Sequence, residues 1–138
     1  MSKIQLHRLV ETAALQSRNT PLIVTTDMVS NIYTAVNNAV FNGILEQPKL
    51  VVRDYKHRQI WGECEGWQRG SRWGEHYTVV IRIQKYFPNL KKLIAVVAHE
   101  MVHQWEWDKC GVMTHGKQTF FVWEDRLRSK GIRLAAVG

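Results

Sequence analysis

Two histidines four residues apart, with a glutamate directly after the first, occur at His99-Glu100-Met101-Val102-His103. On a helix, four residues turn by about 400°, so His99 and His103 fall on one face, one turn apart. Two imidazoles placed this way offer two nitrogen ligands to one Zn²⁺. Glu100 lies beside them, where its carboxylate can take a proton from metal-bound water. The bland alternative is three polar residues on a half-exposed helix face. The context argues against it, because the five residues follow the apolar run Leu93 to Ala98. His and Glu are costly to bury there without a task.

A catalytic zinc needs a third protein ligand and keeps its fourth position for water. The long pattern with Gly at 106 and His at 109 is absent, since Glu106 and Lys109 stand there. Two candidates remain. His115 lies 12 residues beyond His103, after a loop and before the last helix, where the chain can fold it back over the metal. Glu124 lies 21 residues beyond His103 on that helix. Its charged neighbours Asp125, Arg126 and Arg128 favour a solvated face for it, so the spacing favours His115.

The elements that must hold these residues can be read from periodicity. Residues 3–17 read as an amphipathic helix ended by Asn19-Thr20-Pro21. A second helix begins near Asp27 as N-cap and stops at Asn42-Gly43. Lys49–Arg53 and Tyr77–Ile83 read as strands, and Gln59-Ile60-Trp61 is a weaker third. Gly62, Gly66, Gly70 and Gly74 are expected at turns between them. A long helix from about Asn89 to Asp108 carries the two histidines, and a last helix covers about Gly116 to Lys130, with Gly131 at its end. Helices, then strands, then helices argue for an α+β fold with helices packed on a small antiparallel sheet.

Composition bounds the rest. The 138 residues carry 19 Lys+Arg against 12 Asp+Glu, a net charge of +7 with His neutral. That length suits a single domain, 1–138, and 45% hydrophobic residues with six Trp suffice for a core. The longest unbroken apolar run, Leu93 to Ala98, is far shorter than the ~20 residues of a membrane span. The first residues show no secretory signal, which leads to the expectation of a cytoplasmic protein without a membrane partner. Cys64 and Cys110 form no CxxC pair, so they are expected to be free thiols in a reducing compartment. The positive balance suggests an anionic partner.

The HExxH residues 99–103, followed by His115-Gly116-Lys117 and the aromatic Phe120, resemble the SprT-like family of zinc metallopeptidases. Phe41-Asn42-Gly43-Ile44-Leu45, Gly62-Glu63-Cys64 and Tyr77–Ile83 are similar to further family segments, and the resemblance spans about residues 25–130. It implies a minimal zincin domain, one catalytic zinc on His99, His103 and His115, and Glu100 as catalytic acid/base. The zinc ribbon or extended tail of longer members is not expected, since the chain ends at Gly138. The Spartan-type members, which are similar in the core, cleave proteins crosslinked to DNA. The resemblance thus suggests a protein or peptide substrate, with DNA-bound protein as a candidate class.

Residues 49–72 hold six basic against three acidic side chains. Arg53, Lys56, Arg58, Arg69 and Arg72 with interleaved Trp61, Trp67 and Trp73 form a candidate contact for single- or double-stranded DNA. The plainer account puts the tryptophans in a core and the cations on a wet face. His76 and Tyr77, just before the strand that precedes the catalytic helix, are candidate oxyanion or substrate donors. The reading is a zinc metalloendopeptidase with Glu100 as general base and acid. The rival is a DNA- or partner-binding module with a structural zinc and no proteolysis. The sequence leaves cleavage preference and oligomeric state open.

Overall fold

A computed structural model of the chain describes residues 5–16, 20–57, 59–66, 79–110 and 117–134, excluding the side chains of 110 and 117–121. The elements run α1 (Leu6–Leu15), β1 (Leu22–Ile23), α2 (Thr26–Val40), β2 (Lys49–Arg53), β3 (Gly62–Gly66), β4 (Val79–Gln84), β5 (Tyr86–Phe87), α3 (Leu90–Cys110) and α4 (Lys117–Ser129). The α+β class is as expected.

The main sheet has the order β2-β4-β3. β3 pairs antiparallel with β4, but β2 pairs parallel with it, Leu50 against Ile81 and Val52 against Ile83. The sheet is therefore mixed, which corrects the antiparallel expectation. β4 slots between the two strands that precede it, and no alternation of strand and helix announces such an insertion. As the central strand, β4 is buried at every position but Arg82. Its Val79, Ile81 and Ile83 face the core. On the other face Arg82 reaches Glu63 at 3.9 Å and Glu65 at 3.5 Å on β3. A separate two-stranded ribbon pairs β1 with β5, Leu22 against Phe87.

Of the four glycines expected in turns, Gly62 and Gly66 instead begin and end β3, and Gly70 and Gly74 lie outside the described residues. A β-carbon on Gly62 would lie 2.9 Å from Val96 Cγ1, and one on Gly66 would lie 2.5 Å from the Trp107 ring. Real side chains do not tolerate such contacts, so the glycines let α3 lie directly on the strand. The weaker candidate Gln59-Ile60-Trp61 falls just before β3 and outside it.

Helix ends follow local chemistry. α1 starts later than the expected residue 3, because Gln5 is extended. α2 is capped by Thr25 and not by Asp27, since the Thr25 hydroxyl accepts the Met28 N–H at 3.2 Å. Asp27 falls in the first turn, where a carboxylate suits the positive end of the helix dipole. Asn42 and Gly43 end the turn after α2 with φ of 56° and 72°. Asn89 caps α3, its Oδ1 accepting the Lys92 N–H at 2.8 Å. Beyond α4 the Ile132 N–H bonds Leu127 O and the Gly131 N–H bonds Arg128 O, with Gly131 at φ 86°. That is a Schellman ending, and the buried Ile132 and Leu127 supply its apolar contact.

α3 is the centre of the molecule. Every residue from Leu93 to Gln104 is buried, not only one apolar face. It packs on β3, β4, α1, α2 and α4, and helices covered on all sides carry apolar residues all round. Against this background the polar residues of α3 stand out.

Candidate metal centre

Five of those α3 residues are polar and buried: His99, Glu100, His103, Gln104 and Glu106. The imidazoles of His99 and His103 lie edge to face, with ring centroids 5.0 Å apart. The predicted one-face pairing is therefore realised inside the protein, with both side chains more than nine-tenths covered. His103 Nδ1 lies 3.1 Å from Glu106 Oε1, and Glu106 is only 2% exposed.

Glu100 turns toward β3. Its Oε2 and Cγ lie 3.1 and 3.2 Å from where a Gly62 β-carbon would stand. Burial pushes its carboxyl from the ordinary range up to about 8, and the charge of Glu63 adds to the effect. On the same β3 face Cys64 is a free cysteine, and burial, with the Glu100 charge second, drives its thiol well above the ordinary value.

A buried hydrogen-bond network secures the next position on α3. Tyr33 Oη on α2 donates to Gln104 Oε1 at 2.7 Å, and Gln104 Nε2 donates to Glu46 O at 2.6 Å. Three segments, α2, the 44–48 connection and α3, are thereby joined one residue past His103. Burial is also the main cause that raises the Tyr33 phenol.

Two adjacent, buried imidazoles beside a carboxylate match the nitrogen-rich chemistry zinc favours. Among the described residues, no group of three or more His, Cys, Asp or Glu is disposed to hold a metal. Glu124 thus does not complete a site with His99 and His103. It pairs with Arg128 at 2.9 Å on the α4 surface, and Arg128 also reaches Asp125 at 3.4 Å. His115, the other candidate, lies outside the described residues.

The other sequence candidates separate. Arg58, Trp67, Arg69, Arg72, Trp73, His76 and Tyr77 lie outside the described residues. Arg53 is exposed, with its guanidinium 5.3 Å from the Tyr55 ring centroid. Lys56 is exposed and lies 3.5 Å from Asp54. Trp61 packs against the core, 5.1 Å from Phe87, with Lys92 Nζ 3.9 Å from its ring centroid. The plainer account of a packed tryptophan therefore fits Trp61.

Sequence reasoning missed Glu106, Gly62 and the Tyr33–Gln104 pair. Glu106 entered only as a residue that broke a longer motif. Its position three residues after His103 was the signal, because i and i+3 meet on a helix. No family model matches the chain, and neither a curated protein nor a solved structure matches it. Among the described residues, no helix is long and apolar enough to cross a membrane.

Proposed function

We propose that this chain is a zinc-dependent metallopeptidase of the SprT-like kind, with zinc held by His99, His103 and His115 and with Glu100 moving the proton. The observation that carries the reading is the burial of His99, His103 and Glu100 together on α3, in a stretch otherwise apolar. Three ionisable side chains in such a place are costly, and an active site accounts for the cost. When bound, zinc would supply Lewis acidity toward a carbonyl and a water.

The protein's own residues do the rest. Glu100 accepts the proton of the attacking water and returns it to the leaving amine. With its carboxyl pushed up to about 8, Glu100 is mostly the acid at neutral pH with the carboxylate as the minority form, so both forms are populated for a group that must take and give a proton. Its position is fixed by Gly62, on a strand whose described pairing is to β4 alone. An extended peptide adding alongside β3 would bring its backbone near Glu100. That geometry supports a protein substrate, and DNA-bound protein is proposed as a substrate class from the basic 49–72 segment and the family resemblance.

The test compares zinc-loaded wild type with Glu100→Gln on a basic protein substrate, with and without single-stranded DNA. Cleavage by wild type alone supports the peptidase. Faster cleavage with DNA supports the DNA-bound substrate class. Zinc binding by both proteins with cleavage by neither favours the rival module with a structural zinc.

A further inference from the structure

Glu106 belongs to no part of the acid/base chemistry, yet it is almost completely buried. A carboxylate in that position is costly unless something compensates it. One partner in the structure is His103, whose Nδ1 lies 3.1 Å from Glu106 Oε1. The two residues are three apart on α3, so the helix itself sets their distance. With Glu106 as a carboxylate its oxygen accepts, and His103 Nδ1 is the donor. Nε2 is then the ring nitrogen whose lone pair can be offered to a metal.

We infer that Glu106 is the positioning residue of the metal centre. It fixes the ring orientation and tautomer of His103, so that Nε2 is presented to zinc. This rests on the zinc reading above. The pairing also has an electronic effect. A negative carboxylate behind an imidazole makes its far nitrogen a stronger donor, which tightens the metal. Metal-binding histidines usually hand their second N–H to such a group, and loss of it typically weakens metal binding by about 10- to 100-fold. Glu106 thus acts on affinity through His103 and touches neither substrate nor water.

The experiment is a zinc competition against a chromogenic chelator, with wild type, Glu106→Gln and Glu106→Ala. Thermal unfolding of each metal-free protein checks the fold. Glu106→Gln keeps the size of the side chain and an oxygen acceptor but removes the charge. The expected result is a folded Glu106→Gln that binds zinc about 10-fold more weakly, with Glu106→Ala weaker still, up to about 100-fold. Nitrogen-15 spectra of the zinc-loaded wild type are expected to show the His103 proton on Nδ1. Wild-type zinc affinity in a folded Glu106→Gln, or the proton on Nε2, overturns the inference while the peptidase reading stands. A wild type that binds no zinc at equimolar ratio overturns the peptidase reading and the inference with it.

Discussion

Gly62 and Glu100 are in such close register that a single methyl group at position 62 would press on the carboxylate, 3.1 Å from Oε2 and 3.2 Å from Cγ. The nearest obstacle, Val96 Cγ1 at 2.9 Å, belongs to the same helix. The Glu100 carboxylate is the far end of a buried side chain, so it would yield before the backbone does. Gly62→Ala is expected to lower kcat by about 10- to 100-fold, because small misplacements of a reacting group cost that much. Zinc affinity is expected to stay near wild type, since His99 and His103 lie off that contact. Adding Val96→Ala removes the other clash and leaves the carboxylate contact. If that double variant recovers stability without activity, the carboxylate contact is the cause.

The Tyr33–Gln104 bond carries a stability prediction. Tyr33→Phe removes the donor and leaves buried Gln104 Oε1 without it. The expected loss is about 1–3 kcal/mol, the usual cost of an unmet buried polar group. Gln104→Leu alone removes the 2.7 Å acceptor of the Tyr33 hydroxyl and the 2.6 Å donor to Glu46 O, and leaves these two groups only their mutual bond at 3.2 Å. Denaturant unfolding of the two single variants and the double is expected to be non-additive, with the double less damaged than the sum. Strict additivity would show that the two side chains do not act as a unit.

Helix α3 and its histidine spacing were legible because they depend on local periodicity. Lys49–Arg53 was legible as a strand for the same reason. The parallel pairing of β2 with β4 was not, since it depends on a long-range insertion that no local pattern records. Gly62 and Gly66 misled for a physical reason. A glycine that makes a turn and a glycine that admits a packed helix look alike until the helix is in place. Thr25 displaced Asp27 as the cap of α2 because either residue can accept an N–H, and only the backbone decides which one does. Glu106 was hidden by being an ordinary residue for a helix surface, and only its burial gives it meaning.

Cys64 provides a test of the packing of α3 on β3. Burial holds its thiol above the ordinary value, so the thiolate is disfavoured in the folded protein. The sign follows directly. The raised group favours the fold while the unfolded thiol is still protonated. That contribution fades as pH rises through the unfolded value of 9.0 toward the folded one. Alkylation proceeds through the thiolate. Between pH 7 and 9 the modification rate of Cys64 in urea is expected to climb steeply, while in native protein it stays slow. Peptide mapping by mass spectrometry separates Cys64 from Cys110. Rapid native labelling of Cys64 at pH 8 would mean that the β3–α3 contact opens readily.

The third ligand is decided by two substitutions with opposite expectations. Glu124 spends its carboxylate on Arg128 at 2.9 Å, on a helix surface where such a pair is worth about 0.3–0.5 kcal/mol. Glu124→Gln is therefore expected to shift the unfolding midpoint only slightly and to leave zinc affinity unchanged. His115→Ala is expected to weaken zinc binding by 100-fold or more, on the order of 3 kcal/mol, because under the proposed reading it removes one of three protein ligands. Chelator competition on both variants reads the two outcomes together. A loss of affinity in Glu124→Gln with none in His115→Ala would move the third ligand from the residue before α4 into α4 itself. The α3–α4 packing would then have to shift, since Glu124 stands away from the two histidines in this structure. Equal affinity in both would instead limit the protein's ligands to His99 and His103 and remove the support for a three-histidine catalytic zinc.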